Sequence, residues 1–263
     1  MMGIHAHKLG QPSHPWLVMI HGWGMDSDVL RPLAERLSEN FRIALLDLPG
    51  HGKSRPYATS DTPLDDWAHA LANAAPKPAV WLGWSLGGMP ALRIAAQRPE
   101  HVTALGLLAA TPSFTVREDW PHGVDFTVLT GFQEAIAVNP AKALARFASL
   151  QVRGDASASR QLRWLRRHLA TFTPPDDQAL ADGLRILTQM DLREDLVTLR
   201  QPAMALLGAQ DTLMPAGAAQ DMLALKPDMQ IQVLENAAHL PFLGSLENVA
   251  QHLQNFFRET LSL

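Results

Sequence analysis

An α/β fold with a mostly parallel central sheet is the fold class that the sequence predicts. Six short apolar segments alternate with segments of helical spacing, and most of the apolar segments are continuous rather than alternating. Continuous apolar runs are typical of strands buried on both faces, and their alternation with helices is typical of βαβ units. The predicted strands are residues 16–20, 42–48, 79–83, 104–110, 203–208 and 230–235.

Helices are predicted between the strands, and this alternation is interrupted once. Between residues 113 and 195 no strand is predicted, and proline and glycine residues separate three helical segments. We therefore predict a core of residues 1–112 and 196–263, with residues 113–195 as a helical lid over the carboxyl ends of the strands. The predicted core helices are 27–38, 64–74, 86–97, 216–225 and 247–261, and the lid helices are 131–151, 157–170 and 176–190.

Composition and charge limit the classes of protein that the chain can represent. The chain has 263 residues, of which 47% are hydrophobic, as is typical of one globular domain. The formal net charge of −4 does not favour general nucleic-acid binding, and the absence of cysteine excludes disulfides, thiolate chemistry and a cysteine-based zinc site. No segment approaches the roughly 20 apolar residues of a membrane span, and the first residues lack the apolar region of a signal peptide. We expect a cytoplasmic monomer without a metal or another cofactor.

One serine is framed by glycines where a predicted strand meets a predicted helix. Residues 83–88 read GWSLGG, which contains the pattern G-x-S-x-G with Ser85 at its centre. In this pattern the serine occupies a strained turn, and its small neighbours allow strand and helix to approach closely. The turn lifts the hydroxyl clear of the sheet, and the following helix presents N–H groups to developing negative charge. We predict that Ser85 is a nucleophile rather than an ordinary turn residue.

A serine nucleophile needs a base, and two histidines lie late in the chain. His239 follows the strand 230–235, in a loop expected at the same sheet edge as Ser85. His252 lies within a predicted helix, where a packed or surface histidine is the simpler interpretation. We therefore predict that His239 is the base.

An acid that orients the base is expected in a loop after an earlier strand. Asp211 follows the strand 203–208 in the segment AQDTLMP, where its alternative role is an Asx turn before Pro215. Asp221 and Asp228 are competing candidates, but they lie in a predicted helix and a predicted turn. We predict Asp211.

Two backbone N–H groups are predicted to form an oxyanion hole. One belongs to Leu86, directly after the nucleophile, and the other to Trp23 in the segment HGWG after the first strand. The Trp23 ring could also line an acyl pocket or pack in the core. The segment DLPGHGKS, residues 47–54, lacks the P-loop pattern and is interpreted as a structural glycine turn near the sheet edge.

Five segments carry a resemblance to a known family. HGWG, DLPGHGKS, GWSLGG, LLGAQDTLMP and NAAHLPF occur in this order across the core and resemble the α/β-hydrolase superfamily. With the insertion segments REDWPHGV, LTGFQEAI, ARFASLQVRG and GLRILTQMDLRE, they look like the pimeloyl-[acyl-carrier protein] methyl ester esterases of biotin synthesis. The resemblance implies a carboxylesterase that cleaves the methyl ester of pimeloyl-ACP and releases methanol, with Ser85, Asp211 and His239 as its catalytic triad.

The same resemblance implies a set of substrate-binding residues. Part of the set surrounds the triad, and part forms one stretch of the predicted lid. Its members are Trp23, Ser85, Leu86, Phe147, Ala148, Ser149, Leu150, Gln151 and His239.

A basic stretch in the lid points to an acidic partner. Between residues 142 and 168 there are seven basic residues and one acidic residue, Asp155. Acyl carrier proteins are strongly acidic, so this stretch would attract one, although a solvated helix face is the alternative. The family pattern has an arginine near position 159, where this chain has Ser159 with Arg160 beside it. The residues predicted to dock the carrier are Lys142, Arg146, Arg160, Arg163 and Arg167.

Two alternative functions remain open at this point. A generalist short-chain carboxylesterase would share every catalytic residue and differ in its pocket. A ligand-binding receptor on the same fold would hydrolyse slowly or not at all. Relatives with an aspartate nucleophile, such as epoxide hydrolases, are disfavoured by Ser85.

Overall fold

A seven-stranded sheet forms the centre of the structure, a computed structural model that describes residues 3–55, 58 and 61–262. The strand order is β1-β3-β2-β4-β5-β6-β7, and every neighbouring pair is parallel except β1 and β3. The predicted mostly parallel sheet is thereby confirmed. The strands are β1 (Ala6–Leu9), β2 (Trp16–Ile20), β3 (Arg42–Leu46), β4 (Ala79–Trp84), β5 (Val102–Leu108), β6 (Ala203–Gly208) and β7 (Gln230–Leu234).

Strand β1 is the element of this sheet that the sequence analysis missed. It runs antiparallel to β3 at the sheet edge, with Ala6 opposite Leu46. Its four side chains are at least partly exposed, so it lacks the continuous apolar run by which the central strands were recognised.

Helices cover both faces of the sheet and fill the interval between β5 and β6. Short 3-10 turns precede some of them, including residues 27–30, which were predicted as α-helix. The α-helices are α1 (Arg31–Leu37), α2 (Pro63–Ala74), α3 (Gly88–Gln97), α4 (Phe126–Val138), α5 (Pro140–Gln151), α6 (Ala158–Thr171), α7 (Asp177–Gln189), α8 (Arg193–Thr198), α9 (Ala218–Leu225), α10 (Pro241–Gly244) and α11 (Leu246–Leu261).

The residues of β2 show how the two faces are divided. Val18 and Ile20 lie in one buried apolar cluster with side chains of α2 and α3. Leu17 and Met19 lie in a second cluster with side chains of α1 and α11. Because successive side chains of a strand point to opposite faces, a continuous apolar strand is needed to serve both clusters.

The helix predicted over 131–151 is in fact two helices. Helix α4 begins earlier, at Phe126, and ends at Val138. The side chain of Asn139 then accepts a hydrogen bond from the N–H of Lys142 at 3.0 Å, and Pro140 opens α5. An asparagine cap followed by proline at the first position is a typical helix start, and it divides the apolar pattern here.

Helices α4 to α7, called the inserted helices below, lie over the loops at the carboxyl edge of the sheet. The carbonyl oxygen of Leu180 on α7 accepts a hydrogen bond from the Trp23 indole at 2.9 Å. His168 on α6 lies 2.9 Å from the Asp26 carboxylate. The side chain of Asp176, just before α7, pairs with Arg55. These contacts join the inserted helices to the loops that follow β2 and β3.

Candidate active site

A strained turn at the end of β4 presents Ser85. Its φ angle is +54°, in the left-handed region that a non-glycine residue rarely adopts. A Cβ atom at position 83 would lie 2.4 Å from the Gly87 carbonyl oxygen, and one at position 87 would lie 2.5 Å from the His21 carbonyl oxygen. Glycine at both positions is therefore what allows β4, the next helix and the end of β2 to meet around the serine.

Ser85, His239 and Asp211 form a continuous hydrogen-bonded chain. The Ser85 hydroxyl donates to Nε2 of His239 at 2.8 Å, and Nδ1–H of His239 donates to Oδ2 of Asp211 at 2.7 Å. All three side chains are almost completely buried. This geometry lets the imidazole accept the serine proton while the carboxylate stabilises the resulting imidazolium.

The acid and the base are each held by further hydrogen bonds. The second carboxylate oxygen of Asp211 accepts the backbone N–H groups of Leu213 at 2.8 Å and Met214 at 2.9 Å. The indole N–H of Trp84 donates to the carbonyl oxygen of His239 at 2.8 Å. The Asp211 carboxylate is thus fixed by the backbone of its own loop, and the backbone of His239 is fixed by a side chain of β4.

The competing candidates lie elsewhere. Asp221 pairs with His122 at 2.7 Å, and Asp228 pairs with Lys226 at 3.0 Å. His252 lies on α11, partly buried. The structure brings Asp211, and neither alternative acid, to His239.

The loop after β2 lies against the nucleophile. A Cβ atom at position 22 would lie 3.1 Å from the Cβ atom of Ser85. The backbone N–H of Trp23, the next residue, donates to no acceptor among the described residues. Leu86 stands at the start of a helical turn, where N–H groups have no helical acceptor. Two donors from separate loops are thus available beside the Ser85 hydroxyl.

Three aromatic rings pack together beside these loops. The Trp23 ring contacts Phe147 edge to face at a centroid distance of 4.9 Å, and Phe132 lies 5.4 Å from Phe147. On α7, Gly183 lets the helix approach, because a Cβ atom there would lie 2.7 Å from the indole of Trp23. These three rings, Trp23, Phe132 and Phe147, are called the aromatic trio below; they are almost completely buried and join the loop after β2 to α4 and α5. The sequence analysis did not single out Phe132, since its spacing is that of any buried helix residue.

The predicted lid stretch 147–151 reaches the site only in part. Phe147 belongs to the aromatic trio, and the carbonyl oxygen of Gln151 accepts the N–H of His239 at 3.1 Å. Ala148 packs in the apolar cluster that also contains α11, and Leu150 is partly buried against the other cluster. Ser149 is exposed, and its hydroxyl donates to the carbonyl oxygen of Ala145 at 3.1 Å.

Comparison with known proteins agrees with this geometry. Residues 15–245 match the family profile described as the alpha/beta hydrolase fold. A pimeloyl-[acyl-carrier protein] methyl ester esterase from Stenotrophomonas maltophilia is 43% identical over 242 residues, which are 92% of each chain. A protein of the same name from Nitrosomonas europaea is 41% identical over 244 residues, or 93% of this chain and 95% of the other. The chain is a member of this esterase family of α/β hydrolases.

A solved structure extends the likeness of the fold. An esterase from Exiguobacterium antarcticum superimposes with a TM-score of 0.84 at 22% identity, covering 97% of this chain and 95% of the other. At this identity the likeness concerns the fold alone. The motifs on which the family resemblance was recognised therefore sit on the expected scaffold.

The seven basic residues of the stretch 142–168 are exposed on α5, α6 and the turn between them. Within the described part of the chain, none of the seven forms an ion pair with an acidic side chain. Asp155, the single acid of the stretch, is buried and accepts backbone N–H groups, so it does not neutralise them. The seven residues are Lys142, Arg146, Arg153, Arg160, Arg163, Arg166 and Arg167.

Two buried histidines lie beneath the loop after β2. His21 donates through Nδ1 to the carbonyl oxygen of Gly22 at 2.8 Å and accepts the N–H of Leu48 at 2.9 Å. His51 donates to the carbonyl oxygen of Pro49 at 2.9 Å. Burial lowers the pKa of His21, and burial with the nearby His21 lowers the pKa of His51 to about 3. The segment 47–54 thus supports the loop that carries Trp23.

Residues 3–55, 58 and 61–262 contain no group of three or more histidine, aspartate or glutamate side chains placed to hold a metal ion. None of the helices described here combines the length and apolarity needed to cross a membrane.

Proposed function

We propose that this chain is a serine carboxylesterase that hydrolyses the methyl ester of pimeloyl-ACP in biotin synthesis, yielding methanol and pimeloyl-ACP. The observation that carries the proposal is the buried hydrogen-bonded chain from Ser85 through His239 to Asp211. The names of relatives that share over 40% of their residues with this chain supply the substrate.

The first half of the proposed reaction forms an acyl-enzyme. His239 accepts the hydroxyl proton of Ser85 as Oγ attacks the ester carbonyl. The oxyanion accepts hydrogen bonds from the N–H groups of Trp23 and Leu86. When the tetrahedral intermediate collapses, the C–O bond to the methoxy group breaks, and His239 gives its proton to the departing methanol.

The second half returns the enzyme to its starting state. His239 accepts a proton from water, and the hydroxide so formed attacks the acyl carbonyl. The bond to Ser85 Oγ breaks, Oγ takes the proton from His239, and the pimeloyl chain leaves with a carboxylic acid group, which loses its remaining proton to water. Asp211 holds the imidazole in the tautomer that both halves need.

The aromatic trio and the exposed basic residues support a carrier-bound substrate. The aromatic trio offers an apolar wall for the methylene chain of the acyl group. The exposed and unpaired basic residues on α5 and α6 match a strongly acidic partner, because unpaired surface charge steers association. The assignment of residues 113–195 as a lid, the cytoplasmic location and the monomeric state stay predictions.

Hydrolysis assays with Ser85→Ala test the reaction. The variant should lose at least about 10⁴-fold in kcat, because removal of a serine nucleophile leaves only binding and the oxyanion donors. Ser13→Ala, at an exposed serine in the loop before β2, is the matched control and should retain full activity. Turnover by Ser85→Ala comparable to that of the wild type would exclude the proposed mechanism, and a wild type without turnover would favour the receptor alternative.

A second assay tests the substrate. The ratio of kcat/KM for pimeloyl-ACP methyl ester to that for a short aryl ester should be large, and it should fall as salt rises from 50 to 300 mM. Arg163→Glu should lower this ratio about tenfold at low salt, since close like charges disfavour association. Arg200→Glu, an exposed arginine before β6, should leave it unchanged. Equal ratios in all variants, insensitive to salt, would favour the generalist esterase.

A further inference from the structure

The turn between α5 and α6 lies directly against the loop that carries the base. The carbonyl oxygen of Gln151 accepts the N–H of His239 at 3.1 Å, and the N–H of Ala156 donates to the carbonyl oxygen of Asn236 at 3.4 Å. These two hydrogen bonds join the inserted helices to both ends of the segment 236–239. The base loop is therefore held partly by residues that lie outside the sheet region.

Asp155 is the buried side chain at the centre of this contact, with an exposed fraction of 7%. Its Oδ2 atom accepts the N–H of Ala238, the residue directly before the base, at 3.1 Å. Its Oδ1 atom accepts the N–H and the hydroxyl of Ser157 at 2.7 and 2.8 Å. One carboxylate thus links the start of α6 to the peptide that precedes His239.

The charge of this carboxylate is maintained by the same bonds. Burial alone would raise the pKa of Asp155, but the N–H groups of Ser157 and Ala238 lower the pKa below its ordinary value. A hydrogen bond from a backbone N–H to a carboxylate is stronger than one to a neutral acceptor.

We propose that Asp155 is a positioning residue for His239, acting through the backbone N–H of Ala238 to hold the imidazole between Ser85 and Asp211. The N–H groups of residues 238 and 239 are consecutive, and both are fixed by acceptors of the same turn, one from Asp155 and one from Gln151. The Trp84 indole holds the His239 carbonyl oxygen as well, so the peptides on both sides of His239 are fixed, and with them the direction of its Cα–Cβ bond. This inference rests on the proposed role of His239 as the base.

Loss of the carboxylate should affect the chemical step more than binding. Small displacements of a general base cost up to about 10²-fold in rate, whereas Asp155 does not touch the aromatic trio. Asp155→Ala should lower kcat about 10- to 100-fold on a short aryl ester and on pimeloyl-ACP methyl ester alike, with KM changed less than twofold. Using the aryl ester separates this inference from the proposed substrate, because any ester needs the base.

The experiment compares Asp155→Ala with Asp155→Asn and Ser157→Ala. Asparagine keeps an oxygen acceptor for Ala238 and should restore part of kcat. Ser157→Ala removes a hydroxyl donor from the same carboxylate but leaves the bond to Ala238, so its kcat should stay within about twofold of that of the wild type. Urea unfolding is measured for each variant to give the folded fraction.

Proton NMR of the Nδ1–H shared by His239 and Asp211 supplies a readout that a purely structural role would not change. In Asp155→Ala this low-field resonance should shift or broaden, and in Ser157→Ala it should match the wild type. An unchanged resonance, with kcat reduced only in proportion to the folded fraction, would overturn the proposal. If Asp155→Ala does not fold, Asp155→Ser replaces it, because the shorter side chain can still accept the N–H of Ser157 but is too short for that of Ala238. Wild-type kcat and an unaltered resonance in Asp155→Ser would overturn the proposal equally.

Discussion

The sheet region and the inserted helices both build the site, but they hold their residues by different means. In the sheet region, backbone meets backbone: Gly83 and Gly87 allow contacts that any Cβ atom would prevent, and Ser85 is fixed in a strained conformation. In the inserted helices, side chains such as those of Phe147 and Asp155 add to a few backbone hydrogen bonds. There α4 even leaves large apolar groups in water, with Phe126 at 55% and Val138 at 86% exposure.

This difference separates two tasks. The backbone around Ser85 is packed so closely that the nucleophile has one position. The reaction needs this, because it tolerates little displacement of the reacting groups. Side-chain contacts can be replaced without breaking the fold, which suits the recognition of a particular acyl chain and carrier. The comparison predicts that substitutions in the sheet region act on folding, and that those in the inserted helices act on selectivity.

The largest effect is expected from Gly83→Ala. A Cβ atom there would lie 2.4 Å from both the Gly87 carbonyl oxygen and the Gly88 Cα atom, and neither backbone atom can move without displacing α3. The free energy of unfolding should fall by about 3 kcal/mol or more, and activity should be lost with it. Urea unfolding followed by circular dichroism measures the change.

The same substitution in the inserted helices is the control. Gly131 on α4 has no heavy atom within 4 Å of the position of a new Cβ atom. Gly131→Ala should therefore raise the free energy of unfolding by about 0.5–1 kcal/mol, the usual gain from alanine in a helix interior. Equal destabilisation by both substitutions would contradict the proposed difference between the two regions.

The sequence predicted those parts of the structure whose local residue pattern follows directly from their burial or their role in the reaction. Five of the six predicted strands are continuous apolar runs because they are buried on both faces, whereas β7 alternates at the sheet edge. The G-x-S-x-G pattern identifies a turn whose two glycines cannot be replaced without a clash. Asp211 and His239 follow from their places after β6 and β7, because the carboxyl ends of parallel strands meet at one edge.

The parts that the sequence did not predict depend on contacts between distant segments. Strand β1 pairs at an edge without an apolar run, and α8 is only six residues long. Asp155 was counted as the one acid in a basic stretch, and nothing local shows that its carboxylate turns inward to a residue 83 positions away. Phe132 likewise meets Phe147 only because α4 and α5 fold against each other.

The next prediction concerns how the free energy of unfolding changes in acid, through the buried histidine His51 of the sheet region. Burial, the nearby His21 and Arg55 hold the pKa of His51 at about 3, while Asp26 opposes the shift. The unfolded chain takes up a proton at this side chain below about pH 6.5, and the folded chain does not. Stability is therefore complete well above pH 6.5 and falls as the pH decreases, by about 1.6 kcal/mol from this group between pH 6.5 and 5.0.

His51→Asn should remove this part of the acid sensitivity. The asparagine amide can replace Nδ1–H as donor to Pro49, and it does not titrate. Between pH 6.5 and 5.0 the free energy of unfolding in urea should fall by about 1.6 kcal/mol less in the variant than in the wild type. His252→Gln on α11 should retain the wild-type pH dependence. A wild-type slope in His51→Asn would mean that other groups carry the acid sensitivity.

The smallest effect is expected from Phe147→Leu, which tests whether a residue of the inserted helices acts on substrate selectivity. Leucine fills much of the space but loses the edge-to-face contacts with Trp23 and Phe132, which are each worth about 0.5–1.5 kcal/mol. On pimeloyl-ACP methyl ester kcat/KM should fall about 5- to 10-fold, equivalent to about 1 kcal/mol. An acetyl ester, too short to use the whole aromatic wall, should lose less than half of its rate. Phe126→Leu makes the same change on the exposed start of α4 and should alter neither rate. If both variants lost activity equally on both esters, the inserted helices would be acting on folding as the sheet region does, and the division between the two regions would fail.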